Sequence, residues 1–283
     1  MIRRAAVAGR FYPDSKESII SQIESFDYDD KEPVEAFAVV APHAGYQYSG
    51  PVAAKVYARL KIKGSVILIG PNHGSGRGSD APPVAIMSEG SWELPTGEAC
   101  IDGELARILM EEAPVITEAG WAHEAEHSLE VQIPFLQRFA GDASIDPIIM
   151  IAPIIMIAPI IMARLARDQV MELADGIFRA VEKYGEPVTF VASTDFSHYV
   201  PHKTAQTLDH MAIKKIEALD GPGLLDVVSK NQISMCGVQP TAVVIEVCKR
   251  LGAKKAELVS YQTSGDITGD FSSVVGYGGL LIV

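Results

Sequence analysis

Four short stretches, far apart in the chain, each carry a side chain that binds metals or moves protons, set among glycines and prolines: Pro42-His43-Ala44-Gly45-Tyr46, Pro71-Asn72-His73-Gly74, Ser193-Thr194-Asp195-Phe196-Ser197-His198 and Ser234-Met235-Cys236-Gly237. Three of them directly follow apolar runs that read as buried strands, at 37–41, 66–70 and 188–192. Ligands bind beyond the ends of strands in open α/β sheets, so this scatter predicts one folded site.

Each residue has its own chemistry and an ordinary structural reading beside it. His43 sits where a sharp turn can aim an imidazole into a cleft as ligand or base, or where a loop histidine is simply hydrogen-bonded. His73 repeats that logic, in a Gly-rich loop that lacks the Lys-Ser/Thr ending of a phosphate cradle. Cys236 opens a helix expected from Gln239, and a helix N-terminus favours the thiolate, which is both nucleophile and ligand; most lone cysteines are instead small buried apolar groups. Asp195 and His198, three apart, can share a face for general acid–base work, or Asp195 can cap a helix and leave His198 exposed.

His123 and His127 stand at i, i+4 in Trp-Ala-His-Glu-Ala-Glu-His-Ser. The order is not that of the zincin helix, and neither intervening glutamate need face a site. We expect His127 to line the pocket and His123 to face solvent. His202, His210, Cys100 and Cys248 have no supporting context, and Cys248 reads as core.

These residues must be held by a scaffold, and 283 residues at 48% hydrophobic content supply ample core. The net charge of −12 argues against nucleic acid or an anionic membrane as partner, since both need a basic face. Three widely spaced cysteines give no disulfide framework, and no apolar leader opens the chain, so a cytoplasmic setting is expected. Helices are expected at 15–25, 49–61, 103–112, 129–139 (interrupted by Pro134), 168–183, 203–219, 223–229 and 239–251. Strands are expected at 37–41, 66–69, 84–87, 91–94, 145–150, 188–192, 256–262 and 274–283. The alternation predicts an α/β fold: one domain over 1–283, with a mostly parallel or mixed central sheet and helices on both faces.

One stretch stands apart. The hexapeptide Ile-Ile-Met-Ile-Ala-Pro occurs at 148–153 and again at 154–159, and a third copy begins at Ile160. With three prolines in 147–163 it does not read as a membrane span, and we read it as a local duplication in which one copy supplies the single strand needed.

Taken in order, Ala-Gly-Arg-Phe-Tyr-Pro, Pro-His-Ala-Gly-Tyr-Gln-Tyr-Ser-Gly, Gly-Pro-Asn-His, Glu-His-Ser-Leu-Glu-Val-Gln-Ile-Pro-Phe-Leu, Ser-Thr-Asp-Phe-Ser-His-Tyr and Met-Cys-Gly resemble the MEMO family over nearly the whole chain. That family is similar in fold to the class III, LigB-type extradiol dioxygenases, whose Fe(II) is held by two histidines and a glutamate. The resemblance implies His43 and His73 as the histidine ligands, Cys236 at the third ligand position, His198 as acid–base histidine with Asp195 as its orienter, and Tyr46, Tyr48 and His127 lining the cleft. It also implies one iron(II) or copper ion per chain and a functional link to a radical-SAM protein. A thiolate in place of the carboxylate is softer and draws copper, zinc or iron, which puts classical ring cleavage in doubt. The expected function is an oxygen-dependent, dioxygenase-like redox reaction on a small molecule. The alternatives are a phosphopeptide- or peptide-binding module using the same cleft, and a Cys/His hydrolase.

Overall fold

Buried apolar strands alternate with amphipathic helices through the described residues of this computed structural model, which are 1–28, 31–74, 80–140 and 155–283. At the centre of the sheet, Ser65–Pro71 runs parallel to Ile155–Met162 on one side and to Val188–Ser193 on the other. Val188–Ser193 is parallel in turn to Ala38–Ala41. Beyond Ala38–Ala41 the sheet turns antiparallel, through Val274–Ile282 to Ala256–Thr263 and the short His198–Val200. Beyond Ile155–Met162 lie Gly97–Ile101, its hairpin partner Ser91–Leu94, and Ile2–Arg4 at the edge. The mixed sheet and its covering helices agree with the expected fold class.

The strands read as continuous apolar runs because both faces are covered. Alternate residues divide between two cores. Val40, Ile67, Ile69, Ile160, Phe190 and Ala192 pack on one face, under the helices Gly103–Glu112, Arg167–Tyr184 and Val238–Leu251. Val39, Ala41, Val66, Leu68, Ile161 and Val191 pack on the other, under Lys16–Ser25, Tyr46–Ala58 and Ile133–Phe139.

Several boundaries shift for physical reasons. The helix expected at 49–61 starts at Tyr46 and ends at Ala58. The stretch expected to be helical from 129 is a 3₁₀ turn, Glu130–Gln132, and the α-helix starts at Ile133, with Pro134 in the first turn, where its missing N–H leaves no gap. The strand expected at 145–150 lies outside the described residues. The observed strand, Ile155–Met162, uses the later part of the hexapeptide repeat and carries Pro159 in its interior. It pairs with Gly97–Ile101 up to Ile157 and with Val84–Ile86 from Ile160, so Pro159 falls where the neighbour changes and no ladder donor is required of it.

The parallel core has one functional consequence. Ala38–Ala41, Ser65–Pro71 and Val188–Ser193 end at the same edge, so the residues that follow them, His43, His73 and Asp195, converge from three separate places in the sequence.

Candidate metal centre

His43 is 2% exposed at the end of the first of these strands. Its backbone N–H donates to Asp195 Oδ1 at 2.8 Å, and its Nδ1 stands 2.9 Å from Ser193 Oγ. Burial first, then the neighbouring His73 and His127, push its pKa well below the usual imidazole range, so the ring is neutral at pH 7. His73 is held by one carboxylate at two points: its backbone N–H donates to Glu126 Oε2 at 2.6 Å, and its Nδ1 meets Glu126 Oε1 at 2.8 Å.

Glu126 also accepts the backbone N–H groups of His127 and Ser128 on Oε1, at 2.9 and 2.8 Å. Burial alone would raise its carboxyl. The hydrogen bond and charge of His73, with the N–H groups of Ser128 and His73, outweigh that and bring it down to about 2. The same pairing raises His73 against its own burial.

His127 completes the group. Its ring lies 4.6 Å from that of His73, nearly parallel, and Phe11 covers it from 4.6 Å. One nitrogen each from His43, His73 and His127 can be chosen so that all three lie within 4.8 Å of one another. Cys236 Sγ is 3.3 Å from His43 Nε2.

Cys236 reaches this place because Gly237 follows it. A Cβ at Gly237 would stand 2.3 Å from the Ser193 carbonyl, so only glycine lets this turn approach the strand end. The thiolate expected at the helix N-terminus is not what the surroundings favour. Burial, then the Asp195 carboxylate, push the thiol up to about 12, against the Asp195 N–H, the Thr194 hydroxyl and the Gly237 N–H. The helix dipole at Val238–Leu251 is too weak to offset burial of the sulfur beside a carboxylate.

The rest of the expected site is distributed differently. Asp195 accepts from the His43 backbone, and His198 is oriented instead by Ser234, whose Oγ takes the His198 N–H at 2.7 Å and whose carbonyl is 2.8 Å from Nδ1. Burial raises Asp195 to about 6, opposed by the His43 N–H, by His198 and His73, and by the Ala44 N–H. Tyr46, expected on the cleft wall, is 1% exposed; it packs on Phe135 and donates to the Val131 carbonyl, beneath the site. Tyr48 is half-buried. With Asp195 and Tyr199, it is one of the groups that add to burial in raising the Tyr277 hydroxyl. Glu126, Ser193, Ser234 and Gln132 are given no role by the sequence reading, although all four lie inside the quoted stretches.

His123 is not solvent-facing. It is fully buried, its ring 5.8 Å from that of Trp92, and neither ring nitrogen has a hydrogen-bond partner among the described residues. Burial, helped by Arg3, pushes its pKa down to about 3, against a smaller opposing pull from the Ala85 backbone and Glu126.

The donor set fits a metal ion. Nδ1 of His43 is occupied by Ser193 and Nδ1 of His73 by Glu126, leaving Nε2 as the nitrogen each can offer, with a sulfur beside the first. The fold is thus an α/β sheet that gathers three histidines able to hold a metal ion, two of them just beyond the ends of parallel strands, with the Cys236 sulfur beside them. Comparison with known proteins places it more narrowly. The model of the Memo-like protein family matches residues 3–281. A MEMO1 family protein of Methanopyrus kandleri is 40% identical over 294 residues, covering 99% of both chains. Another from Aquifex aeolicus is 39% identical over 284 residues, covering 100% of this chain and 99% of its own. The chain belongs to the Memo-like family.

Proposed function

We propose that this protein binds one iron or copper ion through His43, His73 and Cys236, and uses it in an oxygen-dependent redox reaction on a small molecule. The observation that carries the reading is the convergence of three histidine nitrogens within 4.8 Å of one another, with the Cys236 sulfur 3.3 Å from one of them. A bound ion of this kind would supply electron transfer and oxygen activation.

The chain's own residues have definable parts in that reaction. Ser193 and Glu126 hold the rings of His43 and His73 in place through Nδ1. Asp195 fixes the backbone at His43. His198, with Nδ1 beside the Ser234 carbonyl, keeps Nε2 to take or return a substrate proton. His127 and Phe11 form one wall, and His127 is the rival of Cys236 for the third coordination position. The Cys/His hydrolase reading loses support from the raised thiol pKa, because an unassisted thiol near 12 is a weak nucleophile at pH 7.

Elemental analysis of untagged protein purified without oxygen tests the reading, with Cys236→Ser and His127→Ala as comparisons. About one iron or copper per chain, lost in Cys236→Ser and kept in His127→Ala, is the expected result. Retention in Cys236→Ser with loss in His127→Ala would make the centre all-histidine. Protein that arrives empty and rejects added Fe(II) and Cu(I) would overturn the metal reading in favour of a cleft that binds without turnover.

A further inference from the structure

Ser193 ends the central Val188–Ser193 strand and is fully buried. Its hydroxyl has three neighbours: it donates to the Ser128 carbonyl at 2.6 Å, accepts from Gln132 Nε2 at 2.8 Å, and stands 2.9 Å from His43 Nδ1. A hydroxyl has one hydrogen. The Ser128 carbonyl can only accept, so that hydrogen is committed to it. Were it turned elsewhere, two oxygens 2.6 Å apart would face each other through lone pairs alone.

The amide of Gln132 is equally constrained. Its Nε2 is also 3.0 Å from the Pro42 carbonyl, another pure acceptor, and its Oε1 takes the Tyr57 hydroxyl at 2.8 Å. The NH₂ group must therefore face Ser193. Only lone pairs on Ser193 Oγ remain for His43, so the hydrogen between Oγ and Nδ1 belongs to the ring.

We propose that a buried relay, Tyr57 to Gln132 to Ser193, fixes His43 as the Nδ1–H tautomer and so keeps its Nε2 lone pair turned toward Cys236 and the other histidines. Ser193 and Gln132 are positioning residues for the centre. The inference rests on, and deepens, the reading of the cluster as a metal site, because a metal ion needs a bare nitrogen at that point. The opposite tautomer would set the Nδ1 lone pair against an oxygen with no hydrogen to give, in a place without solvent: Tyr57, Gln132 and Ser193 are all fully buried.

The tautomer can be read without any metal. In metal-free wild-type protein labelled with ¹⁵N-histidine, a long-range ¹H–¹⁵N correlation spectrum at pH 7.5 reports which nitrogen of each ring is protonated, and His43→Gln identifies the His43 signals. A protonated Nδ1 with a bare Nε2 is expected; a protonated Nε2 overturns the relay. Titration with Co(II), followed through its sulfur-to-metal absorption, then reads the consequence. Ser193→Ala and Gln132→Leu should each weaken Co(II) binding about 10- to 100-fold, the usual cost of removing an outer partner of a ligand, while Ser193→Thr restores it by keeping the hydroxyl. Unchanged affinity in both variants would overturn the positioning role. The two readings fail separately. Wild-type protein with protonated Nδ1 that binds no Co(II) sinks the metal centre and keeps the relay, whereas tight Co(II) binding with protonated Nε2 does the reverse.

Discussion

His123 and His127 stand four residues apart in one short loop and have opposite surroundings. His123 is fully buried beside Trp92 and Arg3, and neither ring nitrogen has a hydrogen-bond partner among the described residues. His127 stacks on His73 at the rim of the donor cluster. The intervening chain is a 3₁₀ turn, Gly120–His123, followed by irregular backbone, so the i, i+4 spacing never becomes a shared helix face. The loop is anchored on its core side by an ion pair and on its cleft side by a carboxylate. Arg3, 2% exposed, donates to the carbonyls of His123 and Glu126 at 2.6 and 2.7 Å, pairs with Glu130 at 2.7 Å and lies 4.0 Å from the Trp92 ring centre. Glu130 also accepts from the Tyr12 hydroxyl and from the backbone of Ala6 and Val7. Glu126, from the same loop, reaches the other way to His73. The lesson is that one segment can both tie the N-terminal strand to the core and hold the His73 ring, with the division set by which side chains point inward.

The largest test of that division is acid. The folded-state pKa of His123, about 3, lies below the unfolded value near 6.5, so protons bind the unfolded chain first. Its contribution to stability is complete above pH 6.5 and is lost as pH falls toward 3, by up to roughly 5 kcal/mol. Urea midpoints measured across that range should fall for the wild type and fall less for His123→Phe; equal slopes would show that His123 is not the sensor.

Glu130→Ala should come next, costing about 3–5 kcal/mol because it leaves Arg3 charged and buried. A loss under 1 kcal/mol in chemical denaturation would mean that water or another group replaces the carboxylate. On the cleft side the effect should move from stability to ligand binding. Glu126→Gln is expected to weaken metal affinity about 10- to 100-fold, with a smaller fall in stability than Glu130→Ala gives. The reverse ranking would erase the distinction between the two sides.

The smallest effect is a slope. With the Cys236 thiol near 12, binding through sulfur must release its proton at every pH from 6 to 9, so metal affinity should rise about tenfold per pH unit. His43 and His127, both lowered, add less to the slope than free imidazoles would, and His73, raised by Glu126, steepens it at the acid end. Affinity independent of pH above 7 would remove Cys236 from the ligand set and leave the histidines.

The sequence alone determined the fold class, the family and most of the elements that carry His43, His73 and Asp195. Apolar runs of strand length followed by His43, His73 and Asp195 were enough to place them at strand ends, since a strand buried on both faces leaves an unmistakable composition. Ordered motifs pointed to the family, and the helix expected at 103–112 is found at Gly103–Glu112, where the structure shows Asp102 as its cap. What only the tertiary structure decided was which neighbour each polar group meets. That Glu126 serves His73, that Ser193 and Gln132 serve His43, that Ser234 rather than Asp195 holds His198, and that His123 is interior are facts of contact between segments tens to more than a hundred residues apart. Periodicity records only which way a residue faces within its own element. A hydrogen bond across the fold, or a thiol whose pKa is governed by burial, depends on distances that local sequence does not encode.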